Sequence, residues 1–226
     1  MFYYDNTFLL LIPALILTLY AQYKVKSTFA RYSQIRSSSG MTAAQVGRAL
    51  LDSAGLTTVP VNQVAGNLTD HYDPRDKTLH LSESVYNSSS VAAIGVAAHE
   101  AGHAIQDAKA YAPLALRNGL VPVANIGSQL AIPLFFIGII FSFPMLMDIG
   151  IVVFSFAVAF QAITLPVELD ASGRAIKILS SGGYLAPEEI PMAKAVLNAA
   201  AMTYIAAATM AVLNLLRLIM LREQRD

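Results

Sequence analysis

The sequence contains no cysteine. A disulfide framework, a thiolate zinc site and a cysteine nucleophile are therefore excluded. Charge is also scarce. Asp, Glu, Lys and Arg make up 13% of the 226 residues, about half the quarter usual in a soluble domain. This composition fits neither a free cytosolic globule nor a disordered chain. Basic and acidic residues balance at 15 each. With no basic excess, a broad nucleic-acid footprint is excluded. Only four histidines are present, so any metal must be held by His, Asp and Glu. The dominant class is apolar, at 55%, and the length allows one or two domains.

The apolar residues fall into four blocks: Phe8 to Tyr20, extending to Tyr23; Leu120 to Met147; Ile149 to Val167; and alanine-rich Leu197 to Leu216. About 20 apolar residues cross a bilayer as a helix. Only Asp148 separates the second and third blocks, which predicts a tight helical hairpin around it. Pro122, Pro133 and Pro144 are tolerable there, because neighbouring helices satisfy the freed carbonyls. The first block is a retained signal-anchor rather than a cleaved signal peptide, since Asp5 precedes it and Lys24, Lys26, Arg31 and Arg36 follow. Phe2, Tyr3 and Tyr4 at one end, and Tyr20 and Tyr23 at the other, suit an interfacial aromatic belt.

Positive charge places residue 24 onward in the cytoplasm and the loop at Asp148 outside. Arg174, Lys177 and Lys194 return the chain to the cytoplasm. Arg217, Arg222 and Arg225 break the pattern if the fourth block spans, so a buried or re-entrant helix is the alternative. The expected organisation is a span at 1–23, a cytoplasmic part at 24–118, a transmembrane hairpin at 119–167, a cytoplasmic segment at 168–193 and a membrane or re-entrant helix at 194–226.

Within the soluble part, Thr42 predicts an N-cap for a helix from Ala43 to Ala54 that Gly55 stops. Leu68 to Tyr72 and Thr78 to Ser82 read as two short strands around Asp73-Pro74-Arg75-Asp76. Ser88 to Ser90 cap a helix running to about Ala108. That helix carries His99-Glu100-Ala101-Gly102-His103, an HExxH motif. Residues at i and i+4 share one helix face, so both imidazoles converge on a single ion. Glu100 then reaches a water on that ion, whose pKa zinc lowers to about 7. With this composition, chance alone produces HExxH in roughly two such chains per thousand. Two histidines and a glutamate on a helix of small apolar residues would also be costly to bury without an ion.

A hydrolytic zinc needs a third protein ligand and an open position. Asp107, Asp148, Glu168, Asp170, Glu188 and Glu189 lie downstream. Asp148 falls on the opposite membrane side, and Glu188 and Glu189 read as first-turn helix acids. Glu168 ends the third block on the side of the HExxH helix and is the expected ligand. His71, His80, Tyr111, Tyr184 and Arg174 are candidates for oxyanion stabilisation, with ordinary strand-face polarity as the plainer reading.

The stretches LTDHYDPRDKTLHLSESVYNSSSVAAIGVAAHEAGHAI, YAPLALRNGLVPVANIGS and LPVELDAS occur in this order. The chain resembles, over nearly its whole length, the YugP-type bacterial membrane zinc metallopeptidases. The resemblance implies a mainly α membrane protein with a small α+β zincin-like cytoplasmic part. It also implies a membrane hairpin between HExxH and the third ligand. The site is then of gluzincin type: His99, His103 and Glu168 on Zn2+, with Glu100 as general base. Polypeptide is the implied substrate and the bacterial plasma membrane the implied location, with the site facing the cytoplasm. A weaker resemblance extends to the HtpX-type peptidases, whose downstream motif has Asp four residues after the ligand Glu. Here Ser172 stands at that position and Asp170 two residues earlier, so either is a candidate to support the site. HEAGH also occurs in ATP-dependent FtsH-type proteases, but no phosphate-binding GxxxxGK[ST] is present. A site-2-type intramembrane protease and a non-catalytic membrane adaptor with a structural zinc are the competing functions.

Overall fold

The computed structural model describes residues 6–224. Phe2, Tyr3, Tyr4, Asp5 and Arg225 lie outside the described residues, and with them part of the expected aromatic belt and charge pattern. The chain is mostly helical. After a 3-10 turn at Asn6–Leu11 come α1 (Ile12–Tyr32), α2 (Ala43–Ser53), β1 (Val61–Val64), β2 (His71–Asp73), β3 (Thr78–Ser82), α3 (Val91–Ala108), α4 (Ala112–Ile140), α5 (Pro144–Ser181) and α6 (Ile190–Glu223).

The local signals explain the short elements. Thr42 and Gln45 form a reciprocal capping box at the start of α2, which satisfies two otherwise orphaned N–H groups. Gly55 follows α2 at φ +79, a conformation that favours glycine. The Ser90 side chain accepts from the Ala93 N–H and starts α3. β3 matches the expected span, whereas β2 is shorter than expected. β1 was not expected. It pairs in parallel with β3, while β2 pairs antiparallel on the other side, giving the order β1-β3-β2. Leu79 and Leu81 of β3, Val46 and Leu50 of α2 and the alanine face of α3 build the core under the sheet.

The candidate spans Asn6–Tyr32, Ala112–Ile140, Pro144–Ser181 and Ile190–Glu223 are each long and apolar enough to cross a membrane. α4 and α5 run side by side. The turn between them is not at Asp148, as the apolar blocks imply, but at Phe141–Phe143. Ser142 there takes φ +49, and the Phe143 N–H donates to Gly138 O at 2.8 Å. Pro144 opens α5 rather than interrupting an apolar run, because the first turn of a helix needs no N–H from it. α5 has 38 residues, roughly 57 Å at 1.5 Å per residue, well beyond the ~30 Å apolar thickness of a bilayer. Its last turns therefore continue as helix through Glu168 and Asp170 and pack against α3. Among those residues Ala171 and Ala175 are fully buried.

Small residues set how close α5 approaches. A Cβ on Gly102 would lie 2.8 Å from Ala171 O. At the far end of the bundle, Arg222 Nε donates to Asp148 Oδ1 at 2.8 Å, and Arg217 Nε lies 3.4 Å from Thr7 Oγ1. Arg217 and Arg222, two of the basic residues that disturb the sequence-based charge pattern, thus have polar partners at the end of the bundle where α1 begins and α4 turns into α5.

Candidate metal centre

α3 carries His99 and His103 one turn apart, and α5 brings Glu168 to meet them. Glu168 Oε2 lies 3.2 Å from His99 Nε2 and 3.4 Å from His103 Nε2. The three ligand atoms all fall within 4.8 Å of one another. Four ligands placed tetrahedrally at about 2.0–2.1 Å from zinc stand ~3.3 Å apart, which the two distances from Glu168 to the imidazoles match. Glu168 is 3% exposed, and a buried carboxylate facing two imidazoles is costly without a cation or protons among them. Burial disfavours charge on the His103 ring, yet the Glu168 and Glu100 carboxylates outweigh it and hold its pKa above the ordinary histidine value. The pocket thus favours positive charge.

The supporting hydrogen bonds orient each ligand. Gln106 is fully buried. Its amide N–H groups donate to Val167 O at 2.9 Å and to Asp170 Oδ2 at 2.7 Å. Its carbonyl oxygen is then left to accept from His103 Nδ1 at 3.0 Å. This fixes the ring so that Nε2 faces Glu168 and the space between the three side chains. His99 Nδ1 lies 3.0 Å from Ser172 Oγ. The choice between Asp170 and Ser172 therefore resolves into both: Ser172 contacts His99 directly, and Asp170 reaches His103 through Gln106. Arg174 in turn pairs with Asp170. The second oxygen of Glu168 accepts from Arg117 of α4 at 3.0 Å.

Glu100 points into a cavity of about 210 Å³ that His99, His103, Glu168, Arg117, His71 and Tyr204 also line. The backbone N–H of Tyr72, on the edge strand β2, donates to Glu100 Oε2 at 3.2 Å. The Tyr72 hydroxyl donates to Asp107 Oδ2 at 2.9 Å, so Asp107 anchors β2 to α3 and is not gathered with the three ligand atoms.

The remaining downstream acids also lie elsewhere. Asp148 pairs with Arg222. Glu189 is buried rather than an ordinary exposed helix acid: it accepts from the Ser38 N–H at 2.7 Å and the Ala186 N–H at 2.8 Å, tying the segment after α1 to the start of α6. Of the oxyanion candidates, only His71 lines the cavity. His80 stacks on His71 with ring centroids 4.7 Å apart, Arg174 lies over the Tyr111 ring, and Tyr184 packs on the core. Sequence reasoning missed Arg117, Tyr204, Gln106 and the Tyr72 N–H. Arg117, Tyr204 and the Tyr72 N–H reach the site through tertiary packing, without a local spacing to reveal them, whereas Gln106 stands one turn beyond His103 on α3.

Comparison with known proteins identifies the family. Residues 7–223 match the family described as "Putative neutral zinc metallopeptidase". The "Putative membrane protease YugP" of Bacillus subtilis (strain 168) is 48% identical over 212 residues, covering 94% of each chain. No solved structure matches the chain. Family and relative coincide over the segment that contains the HExxH helix, the four apolar helices and the buried glutamate, and the chain belongs to the YugP-type family of membrane zinc metallopeptidases.

Proposed function

We propose that this protein is a membrane-bound zinc endopeptidase of gluzincin type, with His99, His103 and Glu168 as ligands and Glu100 as general base. The observation that carries the reading is the convergence of three ligand atoms beside a cavity that Glu100 shares. A zinc ion there supplies an acidified water and a Lewis acid for the scissile carbonyl. Glu100 takes the proton of the attacking water and delivers it to the leaving amine. The Tyr72 N–H holds the Glu100 carboxylate towards the cavity. Arg117 occupies the other Glu168 oxygen, which leaves Oε2 to face the imidazoles. Gln106 and Ser172 keep the two rings turned.

In this reading the small sheet, α3 and the end of α5 form a zincin-like unit in the cytoplasm. α4 and the first part of α5 form the membrane hairpin between the HExxH helix and the third ligand, in a plasma-membrane protein with several spans. The boundaries near 23, 118, 167 and 193 divide spans from cytoplasmic segments. Flexible or unfolded polypeptide is the substrate.

Glu100→Gln should abolish cleavage of a protein substrate and retain zinc at the parent's stoichiometry. Undiminished proteolysis by that variant sinks the mechanism. Glu168→Ala should lower zinc content. Because the chain has no cysteine, orientation can be read from single introduced thiols. A thiol from Lys109→Cys should react with a membrane-impermeant reagent only in opened cells, and one from Ser142→Cys also in intact ones.

A further inference from the structure

A second cavity, of about 200 Å³, opens beside the first and shares Asp70, His99, Glu100 and Tyr204 with it. Its other walls come from four places in the chain: Phe29 of α1, Leu68 before β2, Val96 of α3, and Val196 and Ala200 of α6. These are all apolar. The charged groups at its edge are engaged elsewhere. Asp70 accepts from the Ser82 N–H at 2.8 Å and hydroxyl at 2.9 Å, and Glu100 accepts from Tyr72. An apolar cavity of about 150 Å³ takes up a benzene ring, so this one has room for one large side chain. It begins at the general base, so a side chain seated in it belongs to a residue flanking the bond under attack.

We propose that this cavity is the specificity subsite of the enzyme and takes a large apolar side chain, of the size of Phe, Leu or Met, from the residue beside the scissile bond. The inference rests on the peptidase reading above and names its substrate class. Its walls include the end of α1 and the start of α6, so selectivity is not built by the sheet and α3 alone. The nearest chemical competitor for the space is a lipid acyl chain. A carboxylate side chain would be desolvated there beside Asp70 and Glu100, with no cation to pair it.

The test uses the full-length zinc-loaded Glu100→Gln protein in lipid nanodiscs. It is titrated with two fluorescein-labelled ten-residue Gly/Ser peptides that differ only in a central Phe or Ala. A fitting apolar group should give the Phe peptide at least about tenfold tighter binding. Ala200→Leu and Val96→Phe fill the cavity from opposite walls. Each should bring the ratio close to one while zinc content stays at the parent's value, which shows the fold intact. A ratio near one in the parent overturns the proposal, as expected if lipid occupies the space. A ratio that survives both fillings overturns it as well, because the Phe is then bound elsewhere.

Cleavage separates this inference from the reading beneath it. If the protein with Glu100 intact leaves the Phe peptide uncut while the binding ratio holds, the peptidase reading falls and the apolar subsite stands as a binding site. If cleavage depends on Glu100 but the ratio is one, the subsite falls and the peptidase reading stands.

Discussion

α3 and α6 are both rich in alanine, yet they meet different surroundings. On α3 most side chains are buried, and the alanines and glycines let α2, α5 and α6 close around it. On α6 few are buried. Ile205, Val212, Leu216 and Met220 stay exposed at helical spacing and form an apolar stripe. Small residues serve close approach in the first helix. In the second, a narrow small-residue face packs inward while the larger residues suit lipid. Composition alone does not separate the two cases; the burial of polar side chains does. α3 buries His103 and Gln106, and both are tied into the candidate site.

The sharpest way to break this contrast is to add one methyl at the tightest contact. Gly102→Ala should push α5 away from α3, since the new Cβ would meet the backbone oxygen of Ala171 at 2.8 Å. A cost of about 1–3 kcal/mol is expected, together with loss of zinc, read by thermal melting and metal analysis. Gly95→Ala on the same helix should instead be tolerated or mildly stabilising. Its Cβ meets Ala193 Cβ at an ordinary 3.5 Å, and alanine is the better helix former by roughly 1 kcal/mol. Equal damage from both variants would show that close packing of α3 is not what assembles the site.

A smaller effect is expected one layer out from the ligands. Gln106→Leu removes the group that orients His103 and should weaken zinc about 10- to 100-fold, measured by competition with a chelator. At the far end of the bundle, a double-mutant cycle on Asp148 and Arg222 should give a coupling under about 1 kcal/mol, because the Asp148 side chain is 56% exposed. The smallest effect belongs to the β2–β3 turn. Arg75 holds the Asp73 carboxyl down to about 2. Its contribution should be present above the ordinary carboxylate value and fade as the pH falls through about 2. Arg75→Ala should remove only that acid-side dependence from the melting temperature.

How much was legible in advance follows the range of each interaction. The HExxH pair and the caps of α2 and α3 depend on residues within one or two turns, so the sequence displays them directly. Glu168 was legible through its place at the end of an apolar block. The α4–α5 turn was misplaced because hydropathy gives weight to the lone charge at Asp148. The backbone turns instead where Ser142 takes a positive φ and Pro144 restarts the helix. β1 was hidden because its four residues, VNQV, have no strand pattern of their own and are ordered by pairing with β3. Arg117 and Tyr204 sit on α4 and α6, among residues whose apolar character signals a membrane and gives no hint of a polar site nearby.

The third ligand candidate follows His99 by 69 residues, beyond all of α4 and most of α5. During synthesis both histidines leave the ribosome long before Glu168, and a chain stopped between them has two ligands and no third. On the proposed ligand set, assembly of the metal site must therefore wait for α4 and most of α5. On the proposed function, a protein that cuts polypeptides is in this way kept inert while it is itself an unfinished one.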